Sequence, residues 1–296
     1  MNHSQNTEPL VAVIGAGPAG IAASIQLKRA GIEPIVFEKG ILGGLLNNAF
    51  WVENYPGFPN GITGLDLINR FKKHLKAHEI KLIMDRVGSV RRSKGYLELN
   101  HGGKACRCRC AIVASGTEPK AWDRLEFGGR VLSHVYPIRN VRNKSIAIVG
   151  GGDAAFDYAL NLARKNRVTI LVRGPRTRAL PLLVKRAWAT NRITVYSNVR
   201  IRSLRQLHNC VIVQVSNRVG GLQTLTFDYL VTAIGREPAL SFLAPSLRKT
   251  FPAGIPGLLY FAGDVRCGKF RQTSIAVGDG VKAAMQVCLD LSRLDR

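Results

Sequence analysis

Acidic residues are scarce in this 296-residue chain. Only 19 Asp and Glu residues stand against 43 Lys and Arg residues, which gives a formal net charge of +24. Hydrophobic residues nevertheless make up 46% of the chain, and the mean hydropathy is near zero. Such a chain can bury a large core, so a disordered basic tail is excluded. At roughly 100–200 residues per domain, the length predicts two domains.

Long apolar runs are also absent. No stretch approaches the roughly 18 uninterrupted apolar residues that a membrane span requires. The apolar run Leu10–Ile14 is short, and polar residues precede it instead of a charged segment. It therefore predicts a β-strand and not a signal peptide. We expect a cytoplasmic protein that does not act at a membrane.

The six cysteines do not follow a metal-binding pattern. Cys106, Cys108 and Cys110 alternate with basic residues just before an apolar strand. Zinc sites usually need C-x2-4-C pairs answered by a second such pair, so no metal site is predicted. Cys267 lies in a glycine-flanked loop and is the one thiol that we would test for reactivity.

Two similar segments recur about 135 residues apart. The first is the strand Leu10–Ile14 followed by Gly15-x-Gly17-x-x-Gly20, and the second is Ser145–Val149 followed by Gly150-x-Gly152-x-x-Ala155. Each runs on into an Ala-rich helix, the first predicted to extend through about Ala30 and the second through about Lys165. A glycine-rich turn between a strand and a helix lets the backbone approach a pyrophosphate at the helix N-terminus. The repeat therefore predicts two nucleotide sites.

The residues after each second strand distinguish the two nucleotides. Glu38 ends the strand 18 residues beyond Gly20, where an acid accepts hydrogen bonds from ribose hydroxyls. The second copy has no such acid and carries Arg173, Arg176 and Arg178 instead. Guanidinium groups suit a 2′-phosphate, which favours NADPH over NADH. The alternative is that these arginines form a solvated loop.

Two nucleotide sites on one chain imply two cofactors, and one of them should be a flavin, because a nicotinamide needs a hydride acceptor. Two further apolar strands end in glycine, at Gly116 and at Gly235-Arg236. We interpret these points as crossings between two domains. Thr273 begins a final helix that is predicted to extend to Leu291.

Several longer motifs, spread over nearly the whole chain, support a family resemblance. They are Gly15-x-Gly17-x-x-Gly20, Glu38-Lys39-Gly40 with Gly43-Gly44, Glu53-Asn54-Tyr55-Pro56-Gly57, Ala114-Ser115-Gly116, Gly150-x-Gly152-x-x-Ala155, Gly235-Arg236, Gly263-Asp264, Arg271-Gln272 and Gly278-Asp279-Gly280. Together they resemble the low-molecular-weight thioredoxin reductases, which are pyridine nucleotide-disulfide oxidoreductases, and the related thioredoxin-reductase-like ferredoxin–NADP reductases.

The resemblance implies an α/β fold with two Rossmann-like nucleotide-binding domains, the second inserted in the first, and a homodimer. FAD would bind the discontinuous domain 1–116 and 242–296, and NAD(P)H the insert 117–241. The implied FAD-binding residues are Gly15, Gly17, Pro18, Ala19, Gly20, Glu38, Lys39, Gly43, Gly44, Asn54, Gly116, Gly263, Asp264, Arg271, Gln272 and Thr273. The implied NADPH-binding residues are Gly150, Gly152, Asp153, Ala154, Ala155, Arg173, Arg178, Gly235 and Arg236.

One departure from the family pattern concerns the redox dithiol. Thioredoxin reductases carry a C-x-x-C a little over a dozen residues before the second glycine motif. Here those two positions are Ser133 and Tyr136, and the sequence contains no C-x-x-C. The chain therefore resembles a dithiol-free branch. His134 and Tyr136 would lie where the dithiol meets the flavin, and we interpret them as residues that face the flavin ring.

The charge suggests the electron acceptor. Between residues 117 and 245 there are 20 Lys and Arg residues and 7 Asp and Glu residues. Such a field steers acidic partners, and ferredoxins and flavodoxins are acidic one-electron carriers. The alternative acceptors are a quinone, another small molecule or a thiol protein reached by a different route. Nucleic acid is disfavoured, because the basic residues follow no helix-turn-helix, zinc-finger or aromatic-interleaved pattern.

Overall fold

The computed structural model describes residues 10–122, 129–216 and 220–294. Its residues form two compact units. The first unit comprises Met1–Asn47, Val52–Glu118 and Glu237–Arg296, and the second comprises Asn48–Trp51 and Pro119–Arg236. The second unit is thus an insert in the first, and it also includes a four-residue segment from the first half of the chain.

The elements of the fold follow in chain order. The strands are β1 (Val11–Ile14), β2 (Pro34–Phe37), β3 (Lys81–Ile83), β4 (Val87–Ser93), β5 (Tyr96–His101), β6 (Lys104–Cys108), β7 (Cys110–Val113), β8 (Thr117–Pro119), β9 (Val131–Leu132), β10 (Ser145–Val149), β11 (Arg167–Leu171), β12 (Ile193–Tyr196), β13 (Arg200–Gln206), β14 (Val211–Ser216), β15 (Leu222–Phe227), β16 (Tyr229–Thr232), β17 (Arg236–Pro238) and β18 (Leu259–Phe261). The helices are α1 (Pro18–Arg29), α2 (Gly64–Ala77), α3 (Asp153–Ala163), α4 (Pro181–Trp188), α5 (Pro245–Arg248) and α6 (Thr273–Leu294).

A five-stranded parallel sheet forms the centre of the first unit, in the order β18-β7-β1-β2-β3. Every residue of β1 is buried, as expected for a parallel sheet that is covered on both faces. Helices α1 and α6 pack against each other, and a smaller antiparallel sheet, β4-β5-β6, is attached to this unit.

The second unit repeats this plan. Its parallel sheet has the order β12-β11-β10-β16-β9, and α3 packs on β11 and α4. A three-stranded antiparallel sheet, β13-β14-β15, completes the unit. Strands β8 and β17 pair with each other where the chain passes from one unit to the other. The predicted α/β class with two Rossmann-like sheets is confirmed.

The helix ends differ slightly from the sequence prediction. Helix α1 ends at Arg29 and α3 at Ala163, earlier than the expected Ala30 and Lys165, whereas α6 extends beyond Leu291 to Leu294. None of the helices within the described ranges is long and apolar enough to cross a membrane.

Helices α1 and α6 approach each other closely at one glycine. A Cβ atom at Gly280 would lie 2.1 Å from the carbonyl oxygen of Ala19 in α1, whereas a Cβ at Gly278 would have no neighbour within 4 Å. The two helices can therefore pack this closely because Gly280 has no side chain.

Replacing Gly280 by Ala is expected to lower the free energy of unfolding by about 2 kcal/mol, because the new methyl group forces α1 and α6 apart. Gly278→Ala is the matched control on the same helix, and it should raise that free energy by about 0.5 kcal/mol through backbone entropy. Urea unfolding of the FAD-loaded protein measures both. Equal effects of the two substitutions would contradict the packing argument.

Candidate functional site

The first glycine-rich turn connects β1 to α1. Gly15 has φ +106°, and a Cβ there would lie 2.4 Å from the carbonyl oxygen of Ala114. At Gly20 a Cβ would lie 1.8 Å from the carbonyl oxygen of Gly15, whereas at Gly17 the space within 4 Å is open. The N-cap residue of α1 is Gly17, so this helix has no N-cap side chain. The turn therefore leaves room, and backbone N–H groups, for a pyrophosphate.

Glu38 lies beside this turn. Its side chain is buried, with Oε2 accepting the Ala16 N–H at 2.8 Å and Oε1 accepting the Gly40 N–H at 2.8 Å. Each carboxylate oxygen keeps a further lone pair, so Glu38 can still accept from ribose hydroxyls. The neighbouring Lys39 is exposed.

The Gly43-Gly44 loop lies against the same turn. The Gly43 N–H donates to the carbonyl oxygen of Ala16 at 2.8 Å, and a Cβ at Gly44 would lie 3.5 Å from Gly17 Cα. The structure thus brings together three groups of predicted FAD-binding residues: the turn with Pro18 and Ala19, the strand-end acid, and this loop.

A short turn at Gly263–Val265 also contacts the start of α1. A Cβ at Gly263 would lie 2.5 Å from the Ala19 Cβ, and the Gly263 N–H donates to Asp279 Oδ2 at 2.7 Å. Asp279 in α6 therefore fixes this turn, which includes Asp264. Sequence reasoning missed that role, although it noted the Gly278-Asp279-Gly280 motif.

The start of α6 carries a second polar cluster. Asn54 Nδ2 donates to Gln272 Oε1 at 3.0 Å, and Ser274 Oγ donates to the Asn54 carbonyl oxygen at 3.1 Å. The predicted residues Asn54 and Gln272 are thus direct partners, with Arg271 and Thr273 adjacent in sequence. Gly116 lies two residues after Ala114, the residue that contacts Gly15. The carbonyl oxygen of Gly116 accepts the Ala239 N–H at 3.1 Å.

The second glycine-rich turn has the same construction. Gly150 has φ +148°, and a Cβ there would lie 2.4 Å from the carbonyl oxygen of Ala233, whereas Gly152 faces open space within 4 Å. Ala155 takes the place of the third glycine and is fully buried. Helix α3 begins Asp153-Ala154, and its N-cap residue is Gly152, so this helix too has no N-cap side chain. This turn also fits a pyrophosphate.

The arginine loop 173–178 is joined to this turn. The Arg178 N–H donates to the Gly151 carbonyl oxygen at 2.6 Å, and Asp153 Oδ1 accepts the Leu180 N–H at 2.8 Å. The side chains of Arg173, Arg176 and Arg178 are exposed. Among the described residues none of the three pairs with a carboxylate, so their charges are available to an anion.

The segment at the dithiol position carries Ser133, His134 and Tyr136. Ser133 Oγ lies 3.1 Å from His134 Nδ1, and the Arg139 guanidinium lies 3.9 Å from the centre of the Tyr136 ring. Burial lowers the pKa of His134, and the positive charge of Arg236 lowers it further. His134 is thus neutral at pH 7, and Arg236 is close enough to influence it.

Asn48 holds this segment in place. Its Oδ1 accepts the backbone N–H groups of Val135 at 3.1 Å and of Tyr136 at 2.9 Å. Asp157 in α3 accepts the Phe50 N–H at 2.9 Å. Residues 48–51 are therefore fixed within the second unit at both ends.

Sequence reasoning missed Asn48 and Asp157, although an acid between the apolar Phe156 and Tyr158 of α3 was a usable signal. Burial raises the pKa of Asp157 to about 6, and hydrogen bonds from the Phe50 and Trp51 N–H groups oppose that shift. Burial thus destabilises the ionised form of this carboxyl.

The surroundings of Cys267 do not activate its thiol. All six are free of disulfides. Burial raises the pKa of Cys267, and the nearby carboxylates of Asp279 and Asp264 raise it further, which disfavours a reactive thiolate. In the described part of the chain, no group of three or more His, Cys, Asp and Glu residues could hold a metal ion.

Comparison with known proteins identifies related sequences and structures. Residues 9–280 match the protein family described as pyridine nucleotide-disulphide oxidoreductase. Thioredoxin reductase from Eremothecium gossypii is 31% identical over 96% of this chain and 98% of the relative. That from Bacillus subtilis is 31% identical over 94% and 93%. The crystal structure of Lactococcus lactis thioredoxin reductase in the FR conformation has 27% identity, a TM-score of 0.86, and coverage of 97% and 100%.

Replacing Asp157 by Asn is expected to remove a pH-dependent loss of stability. The folded pKa of about 6 lies above the ordinary value of 3.8. The favourable contribution of this carboxyl is therefore complete below pH 3.8 and is lost as the pH rises through about 6. As the pH rises through that range the variant should gain unfolding free energy relative to the wild-type chain, and the gain should reach about 3 kcal/mol above a pH of about 6.

Urea unfolding of both chains at several pH values measures this gain. A difference between variant and wild type that stays constant from acidic to neutral pH would contradict the assignment, because a lost or altered hydrogen bond alone shifts stability equally at every pH.

Proposed function

Because the chain belongs to the pyridine nucleotide-disulphide oxidoreductase family, we propose that it oxidises NADPH through FAD and passes the electrons to an acidic one-electron carrier. It is an FAD-dependent oxidoreductase of the thioredoxin reductase type, with FAD and NADPH as cofactors. The proposed step is therefore the last one, the transfer to a ferredoxin or flavodoxin.

The two glycine-rich turns account for cofactor binding in this proposal. The open space at Gly17 and Gly152 admits the pyrophosphates, and Glu38 holds the ribose of FAD. Arg173 and Arg178 hold the 2′-phosphate of NADPH beside the second turn, to which the Arg178 N–H is hydrogen-bonded through the Gly151 carbonyl oxygen. A bound flavin accepts the two electrons of a hydride and can release them one at a time.

The observation that carries the choice of acceptor is the missing dithiol. Ser133 and Tyr136 replace its two cysteines, and no C-x-x-C occurs in the sequence. The raised pKa of Cys267 also counts against a substitute thiol route. Electrons that leave the flavin therefore have no thiol pair on this chain to reduce, and a carrier that takes one electron at a time supplies the exit.

Charge complementarity supports an acidic carrier. The second unit holds most of the excess of basic over acidic residues, and many of those side chains are exposed. Exposed charge of one sign raises the association rate with an oppositely charged protein. We also propose that His134 and Tyr136 face the flavin ring. The homodimer implied by the family resemblance stays a prediction.

Replacing Arg173 and Arg178 by Ala together is expected to raise the KM for NADPH at least tenfold and to leave that for NADH within about twofold, since only NADPH carries the 2′-phosphate. Steady-state rates of flavin reduction with each nucleotide measure this. An equal rise for both nucleotides would overturn the assignment. Arg200→Ala with Arg205→Ala, in the same unit, controls for the loss of two charges.

The acceptor is tested by reducing the FAD-loaded protein with NADPH and mixing it with ferredoxin, flavodoxin, thioredoxin or a neutral quinone in a stopped-flow instrument. Oxidation by the true carrier should be fast at low salt and should fall about tenfold between roughly 0.05 and 0.5 M NaCl. The quinone is the matched control, because its reaction should change little with salt. Preferential reduction of thioredoxin would contradict the proposal.

A further inference from the structure

The second unit contains a basic cleft at the amino ends of the strands in its parallel sheet, whereas the glycine-rich turn lies at their carboxyl ends. The cleft has a volume of about 620 Å³ and lies where β10, β11 and β16 begin, at Ser145, Arg167 and Asp228. Strand β10 runs from this cleft to the turn. At about 3.3 Å per residue the two ends of that strand are roughly 13 Å apart, so this cleft is separate from the NADPH turn.

Cationic side chains dominate the lining. Among the described residues that line the cleft, the cations are Lys144, Lys165, Arg167 and Arg192, and the one carboxylate is that of Asp228. Only Lys144 is paired with it, at 3.3 Å from Nζ to Oδ1.

Three of the four positive charges remain uncompensated. Within the described ranges, Lys165 and Arg167 have no carboxylate partner. Arg192 donates from NH1 to the carbonyl oxygen of Arg164 at 3.2 Å, and a carbonyl group leaves its charge in place.

The backbone around the cleft is held by a buried amide. Asn166 Oδ1 accepts the Lys144 N–H at 3.1 Å, and its Nδ2 donates to the carbonyl oxygens of Val141 and Leu162. Asn143 adopts the left-handed conformation, with φ +56°, and its N–H donates to the Lys165 carbonyl oxygen at 2.8 Å. The segments that carry Lys144 and Lys165 are therefore fixed before any ligand arrives.

We propose that this cleft binds a small anion with two or more linked phosphoryl groups. Its volume is that of a small-molecule site, and guanidinium groups bind phosphate oxygens in bidentate pairs. The described residues of the lining are Asn, Ser, Asp, Lys and Arg, with no aromatic or large apolar side chain among them. Recognition therefore rests on the phosphoryl groups, which either a free polyphosphate or a nucleotide can supply.

Calorimetric titration with inorganic tripolyphosphate tests this site, in the FAD-loaded Arg173→Ala, Arg178→Ala variant so that the arginine loop beside the glycine-rich turn does not bind the probe. One equivalent should bind. Lys165→Ala with Arg167→Ala should weaken binding at least tenfold, and Asp228→Asn, which removes the one carboxylate, should strengthen it. An unchanged far-UV circular dichroism spectrum and an unchanged urea unfolding midpoint show that each variant is folded.

The matched control is Arg200→Ala with Arg205→Ala, which removes the same charge from exposed positions on β13. It should change the dissociation constant by less than twofold. Equal weakening by the two double variants, or no saturable binding to the Arg173→Ala, Arg178→Ala parent, would overturn the proposal. ATP distinguishes the sources: affinity equal to that of tripolyphosphate assigns the site to phosphoryl groups alone, and tighter binding assigns it to a nucleotide.

Discussion

The packing of α1 between two backbone contacts is the constraint on which the first unit depends. Both contacts lie in the first turn of the helix: Gly20 leaves no room for a Cβ beside the Gly15 carbonyl oxygen, and Gly280 of α6 leaves none beside the Ala19 carbonyl oxygen. A side chain at Gly20 would push α1 away from the turn that follows β1, and one at Gly280 would push α1 and α6 apart. The helix N-terminus supplies the free N–H groups for a pyrophosphate. Its position therefore depends on having glycine, without a side chain, at both of these contacts.

The local part of this arrangement could be predicted from sequence. A glycine-rich turn between a β-branched run and an Ala-rich helix specifies its own geometry over about twenty residues, and both copies formed at the expected places. The helix ends were less predictable, because the last turn of a helix depends on its neighbours. Helix α6, for example, continues beyond Leu291 to Leu294, with Leu291 itself buried in the core.

Contacts between distant parts of the chain could not be predicted. Asp157 and Phe50 are 107 residues apart in sequence, yet they share a hydrogen bond, and nothing in the sequence marks residues 48–51 as part of the second unit. The hydrogen bond from the Gly263 N–H to Asp279 could not be predicted from the sequence either. A buried carboxyl with a raised pKa costs stability, and at Asp157 the hydrogen bonds from the Phe50 and Trp51 N–H groups offset part of that cost. Such positions become visible only when the chain is folded.

The scarcity of acidic residues has the same consequence at both ends of the strands in the second unit's parallel sheet. Near the carboxyl ends of its strands, Arg173 and Arg178 have no carboxylate partner among the described residues, and near the amino ends the same is true of Lys165 and Arg167. Because these side chains are largely solvated, their mutual repulsion costs little stability. Their positive field is also not cancelled within the unit. Anion binding at either end therefore does not require an internal ion pair to be broken first, as it would in a chain with balanced charge.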